Sequence, residues 1–349
     1  MIKAIQCAGR IIGPESPCFI IAEAGINHNG NLKMALELVD AAHKAGADAV
    51  KFQLFRVDEQ VSQAASTAEY QLAATKNKSM IEMAKSYDLP WEAHREIARH
   101  CHDIGIVYMS SCFDRQAVDF FLEIGGECIK VGSGEITNYP LLAYMSTTGK
   151  PILLSTGMSS LQDVAGAVEW IWESGHSHLA LFQCTSNYPA DPATINLRAM
   201  KTLEQAFQVP VGYSDHTIGV AIPLAAVALG ANLLEKHFTL DHNLPGPDHG
   251  MSMEPDELKD LVQKVRSVES ALGDGVKKPQ QTEISTLKVA RRSLVTTRKM
   301  NIGDILNENN VTLKRPGTGI DPRLWEYVKG RQTKVEISPD IPITWDMLV

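Results

Sequence analysis

The sequence predicts an α/β fold, a closed barrel of eight parallel strands in which each strand is followed by a helix. Two observations predict it. Short apolar runs alternate with segments of helical periodicity over most of the 349 residues, and together they give eight strand-helix units. Every predicted strand also ends in polar side chains, and a barrel of this kind carries its chemistry at the carboxyl ends of its strands.

Strands are predicted where a short, mostly apolar run ends in polar or turn-forming residues, as buried parallel strands do. They span residues 18–25, 49–55, 107–113, 128–132, 152–156, 179–185, 209–214 and 232–238.

Helices are predicted where apolar residues recur every three or four positions. The first spans residues 31–45, with Asn29 or Asn31 as its cap, and the second opens at Pro90, because proline is tolerated in a first helical turn. The others span residues 115–122, 139–146, 161–173, 197–207, 220–229 and 255–272.

An open, doubly wound sheet is the main rival fold, because alternation of strands and helices is common to both. Its dinucleotide-binding fingerprint is incomplete here. Residues 132–137 (GSGEIT) follow a predicted strand, but Thr137 stands where the last glycine of that fingerprint belongs. The sequence therefore favours the barrel.

The pattern divides the chain into a barrel domain (residues 1–272), a polar linker (273–288) and a compact domain of short strands and turns (289–349). Such a small unit rarely folds well alone, so we expect it to pack against a barrel. Residues 56–89 form a stretch longer than an ordinary barrel loop. We expect it to be partly helical and to fold over a site.

Composition excludes several classes of partner. The net charge is -8, the isoelectric point is near 5.8 and the 33 basic residues are scattered, so we expect neither a nucleic-acid nor a membrane partner. No apolar leader and no run near the roughly 20 residues of a membrane span is present. The six cysteines form no C-x-x-C pair, which indicates reduced thiols in a cytoplasmic protein.

Two histidines close the last two predicted strands: His216 in residues 212–217 (GYSDHT) and His237 in residues 233–239 (LLEKHFT). Neighbouring strands would bring both imidazoles to one rim of the barrel, as a divalent metal site requires. A histidine that closes a strand also serves as a hydrogen-bonded rim residue. The pair alone does not decide between the two interpretations.

Two lysines lie inside predicted strands, where an unpaired ammonium group would be costly to bury. Lys51 and Lys130 therefore indicate a pocket for a doubly anionic substrate such as a phosphorylated carboxylate. The alternative is that each lysine packs its stem on apolar surface and keeps its charge in solvent. Other polar residues at the strand ends are Gln53, Ser111, Ser133, Ser155, Tyr188 and Ser214.

Three carboxylates are candidates for the chemistry. Glu23 and Glu135 follow predicted strands and are suited to proton transfer, although either could instead neutralise a neighbouring lysine. Asp248 comes just after the last strand and is either a substrate contact or a turn residue.

Eight short motifs occur along the chain in the order found in one family. They are residues 22–30 (AEAGINHNG), 50–53 (VKFQ), 129–135 (IKVGSGE), 154–157 (LSTG), 212–217 (GYSDHT), 235–238 (EKHF), 246–248 (GPD) and 314–317 (KRPG). They resemble the sialic acid synthases, the phosphoenolpyruvate-dependent synthases of N-acetylneuraminate, legionaminate and pseudaminate. The resemblance runs from about Cys18 to the C-terminus.

The resemblance implies a TIM barrel followed by an antifreeze-like (SAF) domain, in a domain-swapped homodimer where the C-terminal domain of one chain covers the site of the other. It implies that His216 and His237 bind manganese or magnesium. Positions matched to the phosphate and carboxylate of phosphoenolpyruvate are Lys51, Lys130, Ser111, Ser133, Ser155 and Ser214. Those matched to sugar contacts are Gln53, Tyr188, Asp248 and Arg315 of the partner subunit. Glu23 and Glu135 match carboxylates of proton transfer and water activation.

The reaction implied is the condensation of phosphoenolpyruvate with an open-chain N-acylated hexosamine and water. N-acetylmannosamine is the first candidate, with N-acetylneuraminate and phosphate as products. In the expected sequence C3 attacks the metal-polarised aldehyde, water adds at C2 and phosphate leaves by C–O cleavage.

Other functions stay open. The sugar could be a diacetamido-trideoxyhexose, which would make the chain an N,N'-diacetyllegionaminate or pseudaminate synthase. A class I aldolase would use Lys130 or Lys51 as a Schiff base. A sugar-binding protein without turnover is a third class, and Arg315 could be an ordinary surface arginine on a turn.

Overall fold

The computed structural model describes residues 2–57, 62 and 79–349. Eight parallel strands close into a barrel, which confirms the predicted fold class. A hairpin of β1 (Ile5–Cys7) and β2 (Arg10–Ile12) precedes the barrel. The barrel strands are β3 (Phe19–Gly25), β4 (Ala49–Leu54), β5 (Val107–Cys112), β6 (Ile129–Val131), β7 (Ile152–Ser155), β8 (Leu179–Cys184), β9 (Val211–Asp215) and β10 (Leu233–His237).

Helices follow the barrel strands. The first, α1 (Leu32–Ala45), begins at Asn31, whose side chain accepts a hydrogen bond from the backbone N–H of Met34 at 3.2 Å, and Gly46 ends it in the left-handed conformation. The others are α2 (Met80–Tyr87), α3 (Trp91–Ile104), α4 (Arg115–Glu123), α5 (Tyr139–Thr147), α6 (Leu161–Glu173), α7 (Ala199–Phe207), α8 (Ala221–Ala228) and α9 (Pro255–Leu272). Most of the predicted lid stretch, residues 56–89, lies outside the described residues, and α2 is in its described end.

Alternation along the strands separates two apolar cores. In β3, Ile20 and Ala22 pack in the core between the strands and the helices, whereas Phe19 and Ile21 belong to a second core that also holds hairpin residues. The second core fills the barrel near the amino ends of its strands, which the hairpin closes. The carboxyl ends are left to the polar side chains.

The prediction that all six cysteines are reduced is wrong for one pair. Cys7 in the hairpin forms a disulfide with Cys128, just before β6, and the two Cα atoms lie 5.7 Å apart. Because 121 residues separate the two in sequence, only the packing of the hairpin on the barrel brings them together. The remaining cysteines, Cys18, Cys101, Cys112 and Cys184, are free and buried.

The chain divides into two compact units, Met1–Gly273 and Asp274–Val349. The second contains α10 (Ile284–Ala290), α11 (Trp325–Val328) and an antiparallel pair of short strands, β11 (Ser293–Thr296) and β12 (Val311–Lys314). It has an apolar core of its own, to which Leu294, Met300 and Ile343 belong.

Among the described residues, no helix combines the length and the apolar character that a membrane span needs.

Candidate active site

A cavity of about 370 Å³ opens at the carboxyl ends of the barrel strands. Most residues that the sequence assigns to the site line it: Glu23, Lys51, Gln53, Ser111, Lys130, Ser133, Ser155, Tyr188, His216, His237 and Asp248.

A second and larger hollow, of about 790 Å³, lies near the amino ends of the strands. Its charged groups pair with one another: Asp48 accepts from Arg10 at 2.8 Å and from Arg266 at 3.0 Å, and Arg266 also pairs with Glu269 at 3.1 Å. These groups satisfy each other and tie the hairpin and α9 to the barrel. The reactive groups of the chain converge on the smaller cavity instead.

The register of the sheet brings the charged side chains of the cavity together. Glu23 on β3 lies opposite Lys51 on β4, and Lys130 on β6 lies opposite Ser111 on β5. His237, the last residue of β10, lies opposite Glu23. Because residues two apart share a face, these polar groups line the top layer of the barrel interior.

Four buried charges form a continuous quartet beneath the cavity. Lys51 Nζ lies 2.8 Å from Glu23 Oε2 and 3.7 Å from Glu235 Oε2, and Lys130 Nζ lies 3.0 Å from Glu235 Oε1. None of the four residues is more than 4% exposed. Two positive and two negative charges balance, which is the condition for burying them at a tolerable cost.

The quartet shifts the pKa of each member. Burial raises the pKa of Glu23, and Lys51 only partly offsets this. Burial lowers the pKa of Lys130, whereas for Lys51 the two carboxylates outweigh burial and raise the pKa. Burial alone would raise the pKa of Glu235, but the two lysines outweigh it and bring that pKa to about 2. Glu235 is therefore a fixed negative charge.

Serine hydroxyl groups surround the lysines. Ser111 Oγ accepts a hydrogen bond from Lys51 Nζ at 3.0 Å, and Ser133 Oγ accepts one from the backbone N–H of Gly157 at 3.0 Å. The Oγ of Ser155 is buried and has no partner, so it can serve a ligand. Ser214 donates to Glu235 at 3.1 Å and lies behind the cavity wall.

The two histidines lie side by side, with ring centroids 5.3 Å apart. His216 Nδ1 lies 2.7 Å from the carbonyl oxygen of Thr185 and must donate to it, which in the neutral imidazole leaves the lone pair on Nε2. His237 Nδ1 is buried without a hydrogen-bond partner, and burial holds the pKa of His237 well below its ordinary value.

His237 therefore fits a divalent ion as a neutral nitrogen ligand. Burial lowers the pKa of His216, but its contacts with Cys184 and the Thr185 carbonyl outweigh burial and raise that pKa, so an ion at its Nε2 would take the place of a proton. Across the described ranges, no group of three or more His, Cys, Asp or Glu side chains is arranged to hold a metal. The pair thus fits an open site in which substrate and water complete the coordination.

Tyr188 and Asp248 flank the histidines. The Tyr188 ring lies 4.1 Å from the ring of His216, and Asp248 Oδ2 lies 3.9 Å from His237 Nδ1. Burial, reinforced by the charge of Glu23, raises the pKa of Asp248 to about 6. Asp248 is fixed in the cavity wall rather than exposed on a turn.

Two of the predicted site residues lie elsewhere. Glu135 is in a short 3-10 helix, where it accepts a hydrogen bond from the Asn138 side chain at 2.6 Å, and it does not line the cavity. Its side chain follows the short strand β6 by four residues, so strand periodicity does not govern its direction. Arg315 belongs to the second unit, where it is exposed on the turn after β12.

Among the cavity residues to which the sequence gave no role, two carry reactive side chains, Glu235 and Cys184. Glu235 joins the lysines, and the pairing of its face with His237 could have shown that it points inward. Cys184 lies with its Sγ 3.9 Å from His216 Nδ1, and a cysteine at the end of an apolar strand gives no signal of its own.

The fold and the site together define an enzyme-like (β/α)8 barrel whose carboxyl-end pocket combines buried lysines, carboxylates and paired imidazoles. The family model described as the NeuB family matches residues 38–277, and the SAF domain model matches residues 291–349. The chain therefore belongs to the NeuB family, which confirms the resemblance, and it is an enzyme of the NeuB synthase type.

Relatives in several organisms agree. The chain is 43% identical to the N,N'-diacetyllegionaminic acid synthase of Legionella pneumophila, over 96% of this chain and 95% of the relative. It is 37% identical to the human N-acetylneuraminate-9-phosphate synthase, over 88% and 86% of the two chains. The structure of an N-acetylneuraminic acid synthetase from Leptospira borgpetersenii matches with a TM-score of 0.74 at 33% identity, over 82% of this chain and 96% of that one.

Proposed function

We propose that this enzyme condenses phosphoenolpyruvate with an open-chain N-acylated hexosamine and water, releasing phosphate and a nine-carbon keto acid sugar. One observation carries the proposal: a single cavity holds two buried lysines for an anionic donor beside two imidazoles suited to a divalent ion. Membership of the NeuB family supports the same reaction.

The lysines account for donor binding. In the free enzyme Lys51 and Lys130 are neutralised by Glu23 and Glu235. Phosphate and carboxylate groups of the donor would share these ammonium groups, with Ser155 as a further hydrogen-bond donor. Fixed charges in a water-poor pocket stabilise the charge that develops on phosphate as the C–O bond breaks.

His216 and His237 would hold manganese or magnesium, which when bound supplies a Lewis acid for the sugar aldehyde. Glu23 is the chain's candidate for moving a proton, because its raised pKa and its position at the cavity let it accept the proton of the attacking water. C3 of the donor forms the new bond to the aldehyde carbon, water adds at C2, and phosphate leaves with the bridging oxygen.

Two sugars are candidates. N-acetylmannosamine would give N-acetylneuraminate, and a diacetamido-trideoxyhexose would give N,N'-diacetyllegionaminate or pseudaminate. The relatives named for legionaminic acid synthesis, from Legionella pneumophila and Campylobacter jejuni, are the observation that favours the second.

Phosphate release from phosphoenolpyruvate tests the proposal. The enzyme with Mn²⁺ is assayed against N-acetylmannosamine and against the diacetamido-trideoxyhexoses, with and without EDTA. We expect release with one of them and its loss in EDTA. EDTA-resistant activity with a lysine trapped by borohydride and pyruvate would instead indicate a class I aldolase, and no release with any sugar would indicate a binding protein.

Within this proposal the enzyme is a homodimer in which Arg315 of the partner subunit reaches the N-acyl group. Complementation tests it. A Lys130→Met homodimer and an Arg315→Ala homodimer, each impaired, should recover activity when subunits are exchanged, because one of the mixed sites then carries both wild-type residues. Absence of recovery in verified heterodimers would place Arg315 in its own chain's site or outside any site.

A further inference from the structure

The loop that carries Asp248 is closed at its base. Phe238, just after β10, forms a parallel bridge with Met253. The backbone N–H of Met253 donates to the carbonyl of His237 at 2.9 Å, and that of Thr239 donates to the carbonyl of Met253 at 2.8 Å. The loop of residues 240–252, called here the closing loop, thus leaves and rejoins the barrel beside His237.

Asn27, two residues after β3, binds the closing loop through hydrogen bonds. Its side-chain amide donates to the carbonyl of Phe238 at 2.8 Å and to Ser252 Oγ at 2.9 Å, and Ser252 in turn donates to the carbonyl of Asp248 at 2.6 Å. Asn27 and Ser252 are each 1% exposed. A continuous buried chain of hydrogen bonds therefore runs from the end of β3 to the backbone of Asp248.

His249, near the C-terminal end of the closing loop, makes a second set of contacts. The ring is fully buried, with Nδ1 2.6 Å from Thr239 Oγ1 and Nε2 3.2 Å from Asn29 Oδ1. A Cβ on Gly246 would lie 2.6 Å from that ring, so the loop can pass over His249 only with glycine at this position. His249, the residue next to Asp248, is thus held by Thr239 just before the closing loop and by Asn29 in the segment after β3.

We propose that Asn27, acting through Ser252, and His249 are positioning residues that hold the Asp248 carboxylate in the cavity wall. The Asp248 carboxylate lies 3.9 Å from His237, on the part of the cavity that the proposed reaction gives to the sugar and the metal ion. The lysines that would bind phosphoenolpyruvate lie on β4 and β6, and their ammonium groups pair with Glu23, Glu235 and Ser111 rather than with the residues of this chain of hydrogen bonds. The inference rests on the proposed function for its kinetic consequence.

The hydrogen bonds that Asn27, Ser252 and His249 make at the closing loop, called here the clamp, give residues 27–29 a role in positioning Asp248. These residues belong to the motif of residues 22–30, in which the sequence assigned chemistry only to Glu23. In the structure its two asparagines contact the closing loop and neither lines the cavity. They therefore act on the reaction through Asp248 rather than on the substrates.

A double-mutant cycle tests the proposal. Asn27→Asp keeps the side-chain size but loses the amide donor toward Phe238 and Ser252. We expect KM for the hexosamine to rise about tenfold or more, as for the loss of one to two buried hydrogen bonds, while KM for phosphoenolpyruvate changes less than twofold. In an Asp248→Ala background, Asn27→Asp should produce no further rise.

Matched variants guard against simple unfolding. Ser252→Ala should reproduce the hexosamine effect, and Ser252→Thr, which keeps the hydroxyl group, should restore most of it. Equal rises in both KM values would overturn the proposal, as would additive effects of Asn27→Asp and Asp248→Ala. A lowered Tm with unchanged KM for the hexosamine would make the clamp structural only and would overturn it too.

Two readouts do not depend on turnover. Hydrogen exchange at the amides of Thr239 and Met253 should accelerate in Asn27→Asp and Ser252→Ala, and Mn²⁺ affinity followed by electron paramagnetic resonance should fall as much as in Asp248→Ala. If the wild-type chain makes no product from phosphoenolpyruvate and any hexosamine, the proposed function fails, whereas these two measurements still decide the clamp. Unchanged exchange and unchanged Mn²⁺ affinity would overturn it.

Discussion

The side chains of the buried quartet stabilise the fold, and the proposed function assigns two of them, the lysines, to substrate binding as well. Lys130 is 2% exposed and its ammonium group faces Glu235 at 3.0 Å and the ring of Phe182 at 5.1 Å from its centroid. Removing one charge from a balanced buried set leaves another uncompensated. In the proposed reaction an anionic donor would bind the same ammonium group, so a substitution of Lys130 would change both stability and donor affinity.

Lys130→Met should lower the free energy of unfolding by about 3–5 kcal/mol, because Glu235 then keeps only the more distant Lys51. The double variant Lys130→Met/Glu235→Gln removes one charge of each sign and should recover most of that stability. Both variants should bind phosphoenolpyruvate at least about tenfold more weakly, as for the loss of a charge-assisted hydrogen bond. Urea unfolding and calorimetric titration with phosphoenolpyruvate measure the two quantities.

Lys33→Met is the matched control, because Lys33 is an exposed lysine on α1. It should change neither quantity. Wild-type affinity for phosphoenolpyruvate in the stable double variant would remove Lys130 from the donor site.

The paired imidazoles give a second prediction at this scale. At a Mn²⁺ concentration of 100 times its Kd, the ion should stabilise the wild-type fold by about 2.7 kcal/mol and raise Tm accordingly. His216→Gln and His237→Gln should each abolish this shift, because two protein ligands leave no redundancy. Differential scanning fluorimetry with and without Mn²⁺ measures it, and His178→Gln, an exposed histidine, is the control. A persistent shift in either variant would place the ion elsewhere.

At the scale of elements, the loop after β7 shows how a turn shapes the cavity. Gly157 has no conformational need to be glycine, but a Cβ there would lie 2.3 Å from Ser186 Oγ and 2.8 Å from Ser133 Oγ. Glycine is therefore present because two cavity hydroxyl groups approach the backbone. Its backbone N–H donates to one of them, Ser133, at 3.0 Å.

Gly157→Ala should displace Ser133 and raise KM for phosphoenolpyruvate about tenfold, since overpacking costs about 1–3 kcal/mol. Adding Ser186→Ala removes the closest contact and should restore part of the loss. Gly166→Ala in α6, away from the cavity, is the control, because a Cβ on that residue would meet only the Trp170 side chain, at 4.0 Å. Steady-state kinetics measure KM for phosphoenolpyruvate in each variant. Equal values for the two glycine-to-alanine variants would contradict the prediction.

The strands were more predictable from sequence than the site was. Because residues two apart share a face, the sequence alone is enough to assign Ser214 and His216, and Glu235 and His237, to one face of their strands. The outward Lys236 pairs with Asp215 at 2.6 Å. The disulfide and the clamp could not be predicted in this way, because they depend on contacts between residues more than 100 positions apart. The hairpin strands are only three residues each, too short to show alternation. Glu135, which the resemblance assigns to the chemistry, does not line the cavity, and strand periodicity could not have shown this because it follows β6 in a 3-10 helix.

At the scale of the whole molecule, buried neutral histidines make folding sensitive to acid. His94 is 1% exposed, its Nδ1 lies 3.0 Å from Tyr108 Oη, and burial lowers its pKa to about 3. Burial also lowers the pKa of His28, to about 4. Both lie in the core between barrel and helices, where they contact the ring of Phe52.

The sign of the effect follows from proton binding. In the unfolded chain a histidine takes up a proton near pH 6.5, whereas in the folded chain these two stay neutral down to about pH 4 and pH 3. Below pH 6.5 the unfolded state therefore binds more protons, and the free energy of unfolding falls as pH falls. Each histidine contributes about 1.4 kcal/mol per pH unit within its window.

His94→Gln keeps a polar partner for Tyr108 and removes one titrating group. Urea unfolding between pH 8 and pH 4.5 should show that the wild-type chain loses about 2–3 kcal/mol more than this variant, with the difference confined to pH values below about 6.5. His102→Gln, whose side chain is 91% exposed, should follow the wild-type curve. Parallel curves for wild type and His94→Gln would mean that folding does not shift the pKa of His94. The acid sensitivity would then have to come from carboxylates such as those of the quartet.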